Sequence, residues 1–411
     1  MSVCGTVSVG TSPERPLAFS DLMQPFDSSH RTRLIFGEGK LELLGQLARS
    51  LRAQSALIVS DQGILEAGHH DRAEKSLTEA GIQVSCFHDF GENPTSSMIE
   101  AGVRHAAQVK PDLLIGLGGG SSMDCCKGIN FVYSCGGSIH DYHGSGKATA
   151  PMLPMIAIPT TAGTGSEAQS YALISDAKTH TKMACGDPRA AATIALLDPL
   201  LTLTQPFSVT VLTGIDAISH AVETRVSTRS NAMSVTYSQR AFGMLGKGFD
   251  RVIKEPSDIE ARSMLQLGAY FAGLAIENSM LGAAHATANP LTARYGITHG
   301  QAVGVMLPNV VRMNAANCSE AYTQLVREYA PETPVESAAE TLVSTITKWL
   351  EQAKLATSLS DLAIPADSLD LLTSDALEQW TGNFNPITLS QANVKALYES
   401  TLNNEGGTVS G

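Results

Sequence analysis

Two polar residues in the segment 213–223 could bind one metal ion. Asp216 and His220 are four positions apart, and in a helix residues at that spacing lie on the same face. The chain from residue 207 to the end contains only two other histidines, His285 and His299. One carboxylate and three imidazoles form a mixed oxygen and nitrogen set that suits Fe²⁺ or Zn²⁺. The sequence therefore predicts a divalent metal site at Asp216, His220, His285 and His299.

The surroundings of these histidines favour ligands over packing residues. A single histidine in a helix is more often hydrogen-bonded within the core than bound to a metal. Here, however, the Asp216/His220 pair lies among aliphatic residues, His285 lies among small residues, and His299 precedes Gly300 in the sequence. Buried imidazoles need polar partners. The joint placement of all three therefore indicates a shared ion.

Two loops of small residues are candidates for binding a dinucleotide. The first, Gly118 to Asp124, follows the apolar run 112–117 and precedes a helical pattern. A glycine-rich turn in that position lets backbone N–H groups approach a pyrophosphate, although a tight turn without a ligand has the same composition. The second loop, 159–167, is rich in hydroxyl groups and also follows a strand pattern. Two such loops on one sheet favour the dinucleotide interpretation, and Asp61, at the end of an earlier strand, could exclude a 2′-phosphate.

Strand and helix patterns alternate in the N-terminal half of the chain. This alternation predicts a Rossmann-like parallel sheet with helices on both faces, with strands at 34–36, 55–60, 83–87, 112–117, 155–158, 171–175 and 193–197. Helical periods predominate after residue 205. We therefore predict an α/β dinucleotide-binding domain at 1–205, including a poorly specified lead-in at 1–30, and an all-helical metal-binding domain at 206–411.

Local signals predict several helix ends in the second half. Ser257 and Glu260 have the spacing of a capping box that opens a helix. Pro290 should interrupt or kink the helix that carries His285. Further amphipathic helices are predicted at 300–311, 335–353 and 393–402, followed by a frayed tail.

Composition excludes several classes of protein. The 411 residues carry a formal net charge of −12, with 43% hydrophobic and 17% charged residues, which argues against nucleic acid or an anionic membrane as the main partner. The seven cysteines are odd in number and include no C-x-x-C pair, so a reducing cytoplasm is expected. No signal peptide or membrane-spanning run is evident.

The motifs together resemble the iron-containing (group III) alcohol dehydrogenases, from about residue 32 to 402. The resemblance is carried by the glycine-rich turn 118–124, the loop 159–167, the segment 214–223, and residues 285–308. The family's Asp-x-x-x-His pair falls on Asp216 and His220, and its two later ligands fall on His285 and His299. The implied fold is that of the family and of dehydroquinate synthase.

The resemblance also implies cofactor contacts with NAD(H). Asp61 would favour NAD(H) over NADP(H), Asn93 would lie near the nicotinamide, and Lys182 would reach the ribose. The pyrophosphate would lie on the first glycine-rich turn, and the adenosine and nicotinamide sides on the second loop. The residues concerned in these two loops are Gly118, Gly119, Gly120, Ser121 and Asp124, then Thr160, Thr161 and Ser166.

One residue departs from the family pattern. Many members carry a second histidine four residues after the third ligand, and this chain has Asn289 there, which cannot titrate near neutrality. Its surroundings also include polar residues where the family has apolar or small ones: Glu277, Arg294 and Gln301. Arg294 could bind an anionic substrate or form an ion pair between helices.

The expected reaction is hydride transfer between a primary alcohol and NAD(H). A divalent ion, Fe²⁺ by the resemblance, with Zn²⁺ as another option, would act as a Lewis acid on the substrate oxygen. Short aldehydes and hydroxyaldehydes, including acidic ones, are candidate substrates, and a homodimer or larger homo-oligomer is implied. The alternatives are a metal- and NAD-dependent cyclase or lyase like dehydroquinate synthase, and a non-enzymatic NAD-binding scaffold.

Overall fold

The structure is a computed structural model that describes residues 25–179 and 181–403. Most of the expected lead-in, residues 1–24, lies outside the described residues. The expected frayed tail lies outside them as well, apart from Asn403.

A six-stranded parallel sheet forms the centre of the N-terminal half. Its strands are β1 (Arg33–Phe36), β2 (Ser55–Val59), β3 (Gln83–Phe87), β4 (Leu113–Gly118), β6 (Met155–Pro159) and β9 (Ile194–Leu197), and a second sheet contains β5 (Gly144–Ser145), β7 (Tyr171–Ser175) and β8 (Lys182–Gly186). The strand order in the main sheet is β1-β9-β6-β4-β2-β3, and every neighbouring pair runs parallel. The first and last of these strands in the chain, β1 and β9, are therefore adjacent.

Both faces of the main sheet are covered, as its continuous apolar strands predict. Successive side chains of a strand point to opposite faces, so Leu57 and Ile58, both fully buried, belong to separate hydrophobic clusters. Parallel sheets of this kind need helices on both sides. The helices of this half are α1 (Leu44–Ser50), α2 (Gln62–Glu66), α3 (His69–Glu79), α4 (Ser96–Val109) and α5 (Gly120–Cys135).

The second sheet was not predicted as a unit. Its order is β5-β8-β7, with β7 antiparallel to β8. The sequence pattern predicted β7 alone, because β5 has only two residues and the five residues of β8 begin with a lysine and end with a glycine, so they form no apolar run. Lys182, expected in a connection between strands, is the first residue of β8.

Helices form all the regular structure described after residue 197. They bury one large core that includes Phe242, Phe249 and Trp349. Among the described residues, no helix is both long and apolar enough to cross a membrane. The helices are α6 (Phe207–Val226), α7 (Ala232–Val252), α8 (Ile259–Glu277), α9 (Ala283–Tyr295), α10 (His299–Arg327), α11 (Ala338–Gln352), α12 (Leu369–Leu377) and α13 (Gln391–Leu402).

The expected N-cap at Ser257 and the expected interruption at Pro290 are wrong. The N-cap of α8 is Asp258, whose carboxylate accepts a hydrogen bond from Ala261 N, and not Ser257; the hydroxyl of Ser257 instead donates to Glu255. Aspartate is as good an N-cap as serine, so the adjacent residue took that position. Pro290 lies inside α9, which continues to Tyr295.

Candidate metal and dinucleotide site

Helix α6 places Asp216 and His220 together, as their spacing predicts. The two residues are one helical turn apart, and His220 Nε2 lies 3.3 Å from Asp216 Oδ1. Their side chains are 5% and 7% exposed, for histidine and aspartate respectively. Burial of both polar groups on one apolar helix requires partners from neighbouring helices.

The other two histidines supply those partners from separate helices. Nε2 of His285, on α9, and Nε2 of His299, at the first residue of α10, each lie 3.6 Å from the same Asp216 oxygen. Ligands at about 2.1 Å from a tetrahedral metal are about 3.4 Å from one another. The spacings of 3.3 to 3.6 Å around Asp216 Oδ1 match edges of a metal coordination shell. The ligand atoms of Asp216, His220 and His285 also all lie within 4.8 Å of one another, whereas His299 is not part of that group and is placed beside it by its 3.6 Å distance to Asp216.

The hydrogen-bonding state of these atoms also fits a metal ion. Asp216 Oδ1 and His285 Nε2 are buried and have no hydrogen-bond partner. Buried polar atoms without partners are costly and call for an explanation. An ion placed between them would satisfy both atoms, so the residues present fit the divalent metal that the sequence predicts.

Burial and charge shift the pKa values of the four groups. Burial alone would raise the pKa of Asp216, but the three imidazoles outweigh it and lower that pKa. Burial lowers the pKa of His220. The pKa of His299, whose side chain is partly exposed, is lowered by desolvation of its ring and by the neighbouring charges of His285, Lys182 and His220. Burial also acts to lower the pKa of His285, but the carboxylates of Glu223 and Asp216 prevail and raise the pKa of His285 to about 9. A depressed pKa keeps His220 and His299 neutral, which is the form that binds metals.

Glu223 is a site residue to which the sequence analysis gave no role. It is 3% exposed, on α6, and its Oε2 is hydrogen-bonded to His285 Nδ1. Its Oε1 accepts hydrogen bonds from the backbone N–H groups of Gly282 and Ala284, at 3.1 and 2.7 Å. The signal was present in the sequence, because Glu223 lies seven residues after Asp216 and so shares its helical face.

The glycine-rich turn lies at the start of α5, as predicted. Gly118 has φ of +144°, which favours glycine, and α5 begins at Gly120 without a side-chain cap at its N-cap residue, Gly119. A Cβ on Gly120 would lie 2.7 Å from Thr164 in the second loop. The two loops therefore pack closely at the N-terminus of α5, where the first backbone N–H groups of the helix have no partner within the helix and could bind an anion.

Residues predicted to contact the dinucleotide lie around this turn. Asp61 follows β2, next to β4 in the sheet, where it accepts hydrogen bonds from Ser122 Oγ at 3.1 Å and Ile64 N at 3.2 Å. Asn93 has φ of +51° and donates its N–H to Ser121 Oγ at 3.2 Å.

Lys182, an exposed residue at the start of β8, contacts Asn93 beside the glycine-rich turn. Its Nζ is 3.4 Å from Asn93 Oδ1. Desolvation of the ammonium group lowers its pKa, and the charges of Asp124 and Asp216 oppose that shift. Lys182 in turn contributes to the lowered pKa of His299. The ammonium group of Lys182 is therefore electrostatically coupled both to Asp124, in the glycine-rich turn, and to the candidate metal site.

The second loop has a structural role that the sequence did not indicate. A Cβ on Gly165 would lie 2.7 Å from Gly273 Cα on α8, and one on Gly163 would lie 2.5 Å from Thr213 Cβ on α6. Gln266, also on α8, donates to the carbonyl of Pro159 at 3.0 Å. The glycines of this loop therefore allow the sheet to pack closely against the helices, whether or not a ligand binds there.

The hydroxyls of this loop differ in their availability. Thr160 is 4% and Ser166 is 6% exposed, whereas Thr161 is partly buried. Ser166 Oγ donates to Asp124 Oδ1 at 2.8 Å and accepts from Lys127 Nζ at 2.9 Å. Lys127, which sequence analysis missed, is fully buried and also donates to two carbonyl groups. Ser166 and Asp124 are thus parts of a buried polar network beneath the turn.

The polar residues expected near the substrate have partners within the protein. Asn289 Nδ2 donates to Gln379 Oε1 at 3.0 Å. Arg294 forms two hydrogen bonds with Asp375 of α12, which is the ion pair between helices that the sequence left open. Glu277 accepts from Ser170 at 2.7 and 3.0 Å, and Gln301 is bonded to the backbone of Ala356. The link between Arg294 and an anionic substrate therefore has no structural support.

Comparisons with known proteins cover nearly the whole chain. Residues 31–199 match the sequence family described as iron-containing alcohol dehydrogenase, and residues 210–402 match the C-terminal family of Fe-containing alcohol dehydrogenases. The chain is 32% identical over 370 residues to alcohol dehydrogenase 4 of Schizosaccharomyces pombe, a match covering 90% of this chain and 87% of that protein. It is 29% identical to the NAD-dependent methanol dehydrogenase of Bacillus methanolicus, over 90% of this chain and 97% of that one.

Solved structures show the same architecture. A crystal structure of 1,3-propanediol oxidoreductase superposes with a TM-score of 0.89 at 27% identity, covering 92% of this chain and 100% of that chain. An alcohol dehydrogenase from Oenococcus oeni superposes with a TM-score of 0.88 at 26% identity, covering 92% of this chain and 100% of that chain. The fold predicted from the sequence, a parallel α/β half followed by a helical half, is confirmed.

Proposed function

The chain belongs to the iron-containing alcohol dehydrogenase family, and we propose that it interconverts a primary alcohol and its aldehyde with NAD(H). A divalent ion, Fe²⁺ by family, would be held by Asp216, His220, His285 and His299. The observation that carries the proposal is the approach of three imidazole nitrogens to within 3.3 to 3.6 Å of one buried carboxylate oxygen.

The four ligands would create a site of net positive charge. When bound, the metal supplies Lewis acidity toward the substrate oxygen and NAD(H) supplies the hydride carrier. Asp216 is the single carboxylate among the four, so one unit of the ion's charge is neutralised. Lowered pKa values keep His220 and His299 neutral. Glu223 and Asp216 favour the charged form of His285 in the metal-free protein. Nε2 of His285 would give up its proton on metal binding, while Nδ1 keeps its proton and its hydrogen bond with Glu223.

The α/β half would bind and orient the dinucleotide. We assign the pyrophosphate to the N–H groups of Gly119, Gly120 and Ser121, and the adenosine ribose to Asp61. Lys182 and Asn93, 3.4 Å apart, would fix the nicotinamide side near the metal site. The electrostatic coupling of Lys182 to Asp216 and His299 supports this placement.

The substrate pocket is assigned a neutral polar character. Asn289 lies one helical turn after His285 and is paired with Gln379 through their carboxamides. Neither group can accept a proton near neutrality, so the proton of the alcohol must leave by way of water or a ribose hydroxyl. Arg294 is engaged by Asp375. Short neutral alcohols and hydroxyaldehydes therefore fit this pocket better than acidic aldehydes do.

The direct test is oxidation of NADH on addition of an aldehyde. The protein would be stripped of metal, reconstituted anaerobically with Fe²⁺ or Zn²⁺, and assayed with a set of short aldehydes that includes neutral and acidic members. We expect loss of absorbance at the NADH band only with reconstituted protein. Equal rates in metal-free and reconstituted protein would overturn the proposal.

The same assay separates the alternative of a cyclase or lyase. Such an enzyme recycles its NAD, so it produces no net loss of NADH. A scaffold that binds the dinucleotide would show neither metal uptake nor turnover. Net consumption of NADH in proportion to the aldehyde added is expected only from a dehydrogenase.

A further inference from the structure

A single carboxylate contacts both the side chain and the backbone of one predicted metal ligand. Glu223 Oε2 is hydrogen-bonded to Nδ1 of His285. Its other oxygen, Oε1, accepts from the backbone N–H groups of Gly282, Ala284 and His285 at 3.1, 2.7 and 3.4 Å. With 3% exposure, the carboxylate has little access to water and depends on these partners.

The side-chain contact sets which nitrogen of His285 can bind a metal. A neutral imidazole carries one proton, on either Nδ1 or Nε2. An ionised carboxylate only accepts hydrogen bonds, so the contact with Glu223 requires the proton on Nδ1. In the neutral ring the lone pair then lies on Nε2, which has no hydrogen-bond partner and faces Asp216 Oδ1 at 3.6 Å. A bound metal would take the place of the second proton, which Glu223 and Asp216 favour in the metal-free protein. Carboxylates that hold ligand histidines in this way increase metal affinity.

The backbone contacts fix the helical turn that carries His285. The N-cap of α9 is Gly282, which has no side chain to cap the helix. Glu223 takes the place of a cap from 59 residues away in sequence, while Asn385 Oδ1 accepts from Ala283 N at 3.3 Å. The first turn of α9 is therefore attached to α6, the helix that carries Asp216 and His220.

We propose that Glu223 is a positioning residue that presets the tautomer and orientation of His285 for metal binding. The inference rests on the proposed function, because it requires that Nε2 of His285 binds a metal. Asp216, His220 and Glu223 form one stripe on α6, at positions i, i+4 and i+7. One face of one helix thus supplies two ligands and the group that aligns a third.

Substitution by glutamine separates the two roles of the carboxylate. In Glu223→Gln the amide oxygen can replace Oε1 and keep the three backbone hydrogen bonds. The amide NH₂ then points at Nδ1 of His285, and two donors cannot face each other. The proton of His285 must move to Nε2, the nitrogen that should bind the metal. In the opposite amide orientation the NH₂ group would face the backbone N–H groups of Gly282, Ala284 and His285, and all three of those hydrogen bonds would be lost. That orientation is therefore disfavoured.

The experiment measures metal affinity and stability of the metal-free protein separately. Zn²⁺ affinity would be measured by competition with a chromogenic chelator, and Co²⁺ binding by its visible absorption, which reports ligand geometry. Thermal unfolding of the metal-free protein and NADH binding by fluorescence complete the set. The variants are Glu223→Gln, Glu223→Asp and Glu223→Ala, with Asp250→Asn as the matched control. Asp250 accepts from Trp349 Nε1 at 2.8 Å and from Tyr329, away from the site.

We expect Glu223→Gln to weaken Zn²⁺ binding about 10- to 100-fold and to change the Co²⁺ spectrum. Its melting temperature without metal and its NADH affinity should stay near those of the wild type. Glu223→Asp, which keeps the acceptor charge, should recover part of the affinity, and Asp250→Asn should bind Zn²⁺ like the wild type. Glu223→Ala, which also loses the cap, should melt at a lower temperature.

Two results would overturn the inference. One is Zn²⁺ affinity within twofold of wild type in a folded Glu223→Gln protein, whether or not its melting temperature falls. The other, decisive if that variant fails to fold, is an affinity for Glu223→Asp no better than for Glu223→Ala. Failure of the proposed function would look different, because the wild-type protein itself would then bind neither Zn²⁺ nor Co²⁺ at this site.

Discussion

Substitution of Gly300 by alanine should displace one predicted ligand without altering any ligand side chain. Gly300 follows His299 in the first turn of α10 and packs against α6. A Cβ at this position would lie 2.1 Å from the backbone oxygen of Leu212 and 2.8 Å from its carbonyl carbon. Leu212 lies one helical turn before Asp216 on α6. The added methyl group would therefore push α10 away from the helix that carries two of the ligands.

The size of the displacement follows from that distance. A Cβ atom does not come within about 3 Å of a backbone oxygen, so the start of α10 must move by roughly 1 Å, because neither backbone has room to yield locally. Metal–ligand distances tolerate only about 0.2 Å. His299 should thus be lost as a ligand, with Zn²⁺ affinity reduced at least about tenfold. Overpacking of this kind also costs about 1–3 kcal/mol of stability.

The assay is Zn²⁺ competition with a chelator, together with denaturant unfolding of the metal-free protein. Gly296→Ala is the matched control, since Gly296 lies three residues before α10 and has nothing within 4 Å of its Cβ position. Its φ of +66° makes alanine there cost about 1–2 kcal/mol without moving α10. Zn²⁺ affinity that stays at the wild-type value in Gly300→Ala, or falls as far in Gly296→Ala, would refute the reasoning.

Three further predictions concern single residues. His285→Ala should abolish aldehyde reduction while NADH binding, measured by fluorescence, stays within a few-fold of wild type; turnover by this variant with metal removed would contradict the metal mechanism. Asp61→Gly should gain activity with NADPH, at a stability cost of only a few tenths of a kcal/mol from the lost cap of α2, because glycine is itself tolerated at an N-cap; no gain with NADPH would remove the argument for Asp61. Burial raises the pKa of Glu167 from 4.5 to about 7, because the folded protein favours the protonated carboxyl group. The stability that this group contributes is complete below pH 4.5 and is lost as the pH rises through 7. Glu167→Gln should therefore gain about 3 kcal/mol relative to wild type between pH 4 and 8 in denaturant unfolding, and parallel pH profiles would disprove this.

The sequence predicted those parts of the fold that depend on local pattern. The buried strands 55–59 and 113–118 are continuous apolar runs ending at polar or glycine residues, so their limits were readable to within a residue or two. Strand β8 was missed because polar and apolar residues do not alternate along it, and because its pairing with β7 is set by tertiary contacts. Pro290 was expected to disturb α9, yet the helix continues through it, since packing of its neighbours outweighs the loss of one backbone hydrogen bond.

The candidate site was predictable where chemistry is tied to spacing. Asp216 and His220 could be paired from their positions alone, whereas the meeting of His285 and His299 with them depends on how α9 and α10 pack. The sequence of the second loop, 159–167, predicts a dinucleotide contact, and the close contacts of its Gly163 and Gly165 with α6 and α8 show a packing requirement that one sequence cannot reveal. The roles of individual cofactor residues, the cytoplasmic location and the oligomeric state stay predictions.

Unequal exposure of the four predicted ligands bears on how the protein would gain and lose its metal. The side chains of Asp216, His220 and His285 are 5 to 7% exposed, whereas that of His299 is 34% exposed. An ion exchanging with solvent would thus pass His299, the same opening by which an alcohol oxygen would arrive. A substrate seated there would obstruct the exit, so metal release to a chelator should slow during turnover and quicken in the resting protein.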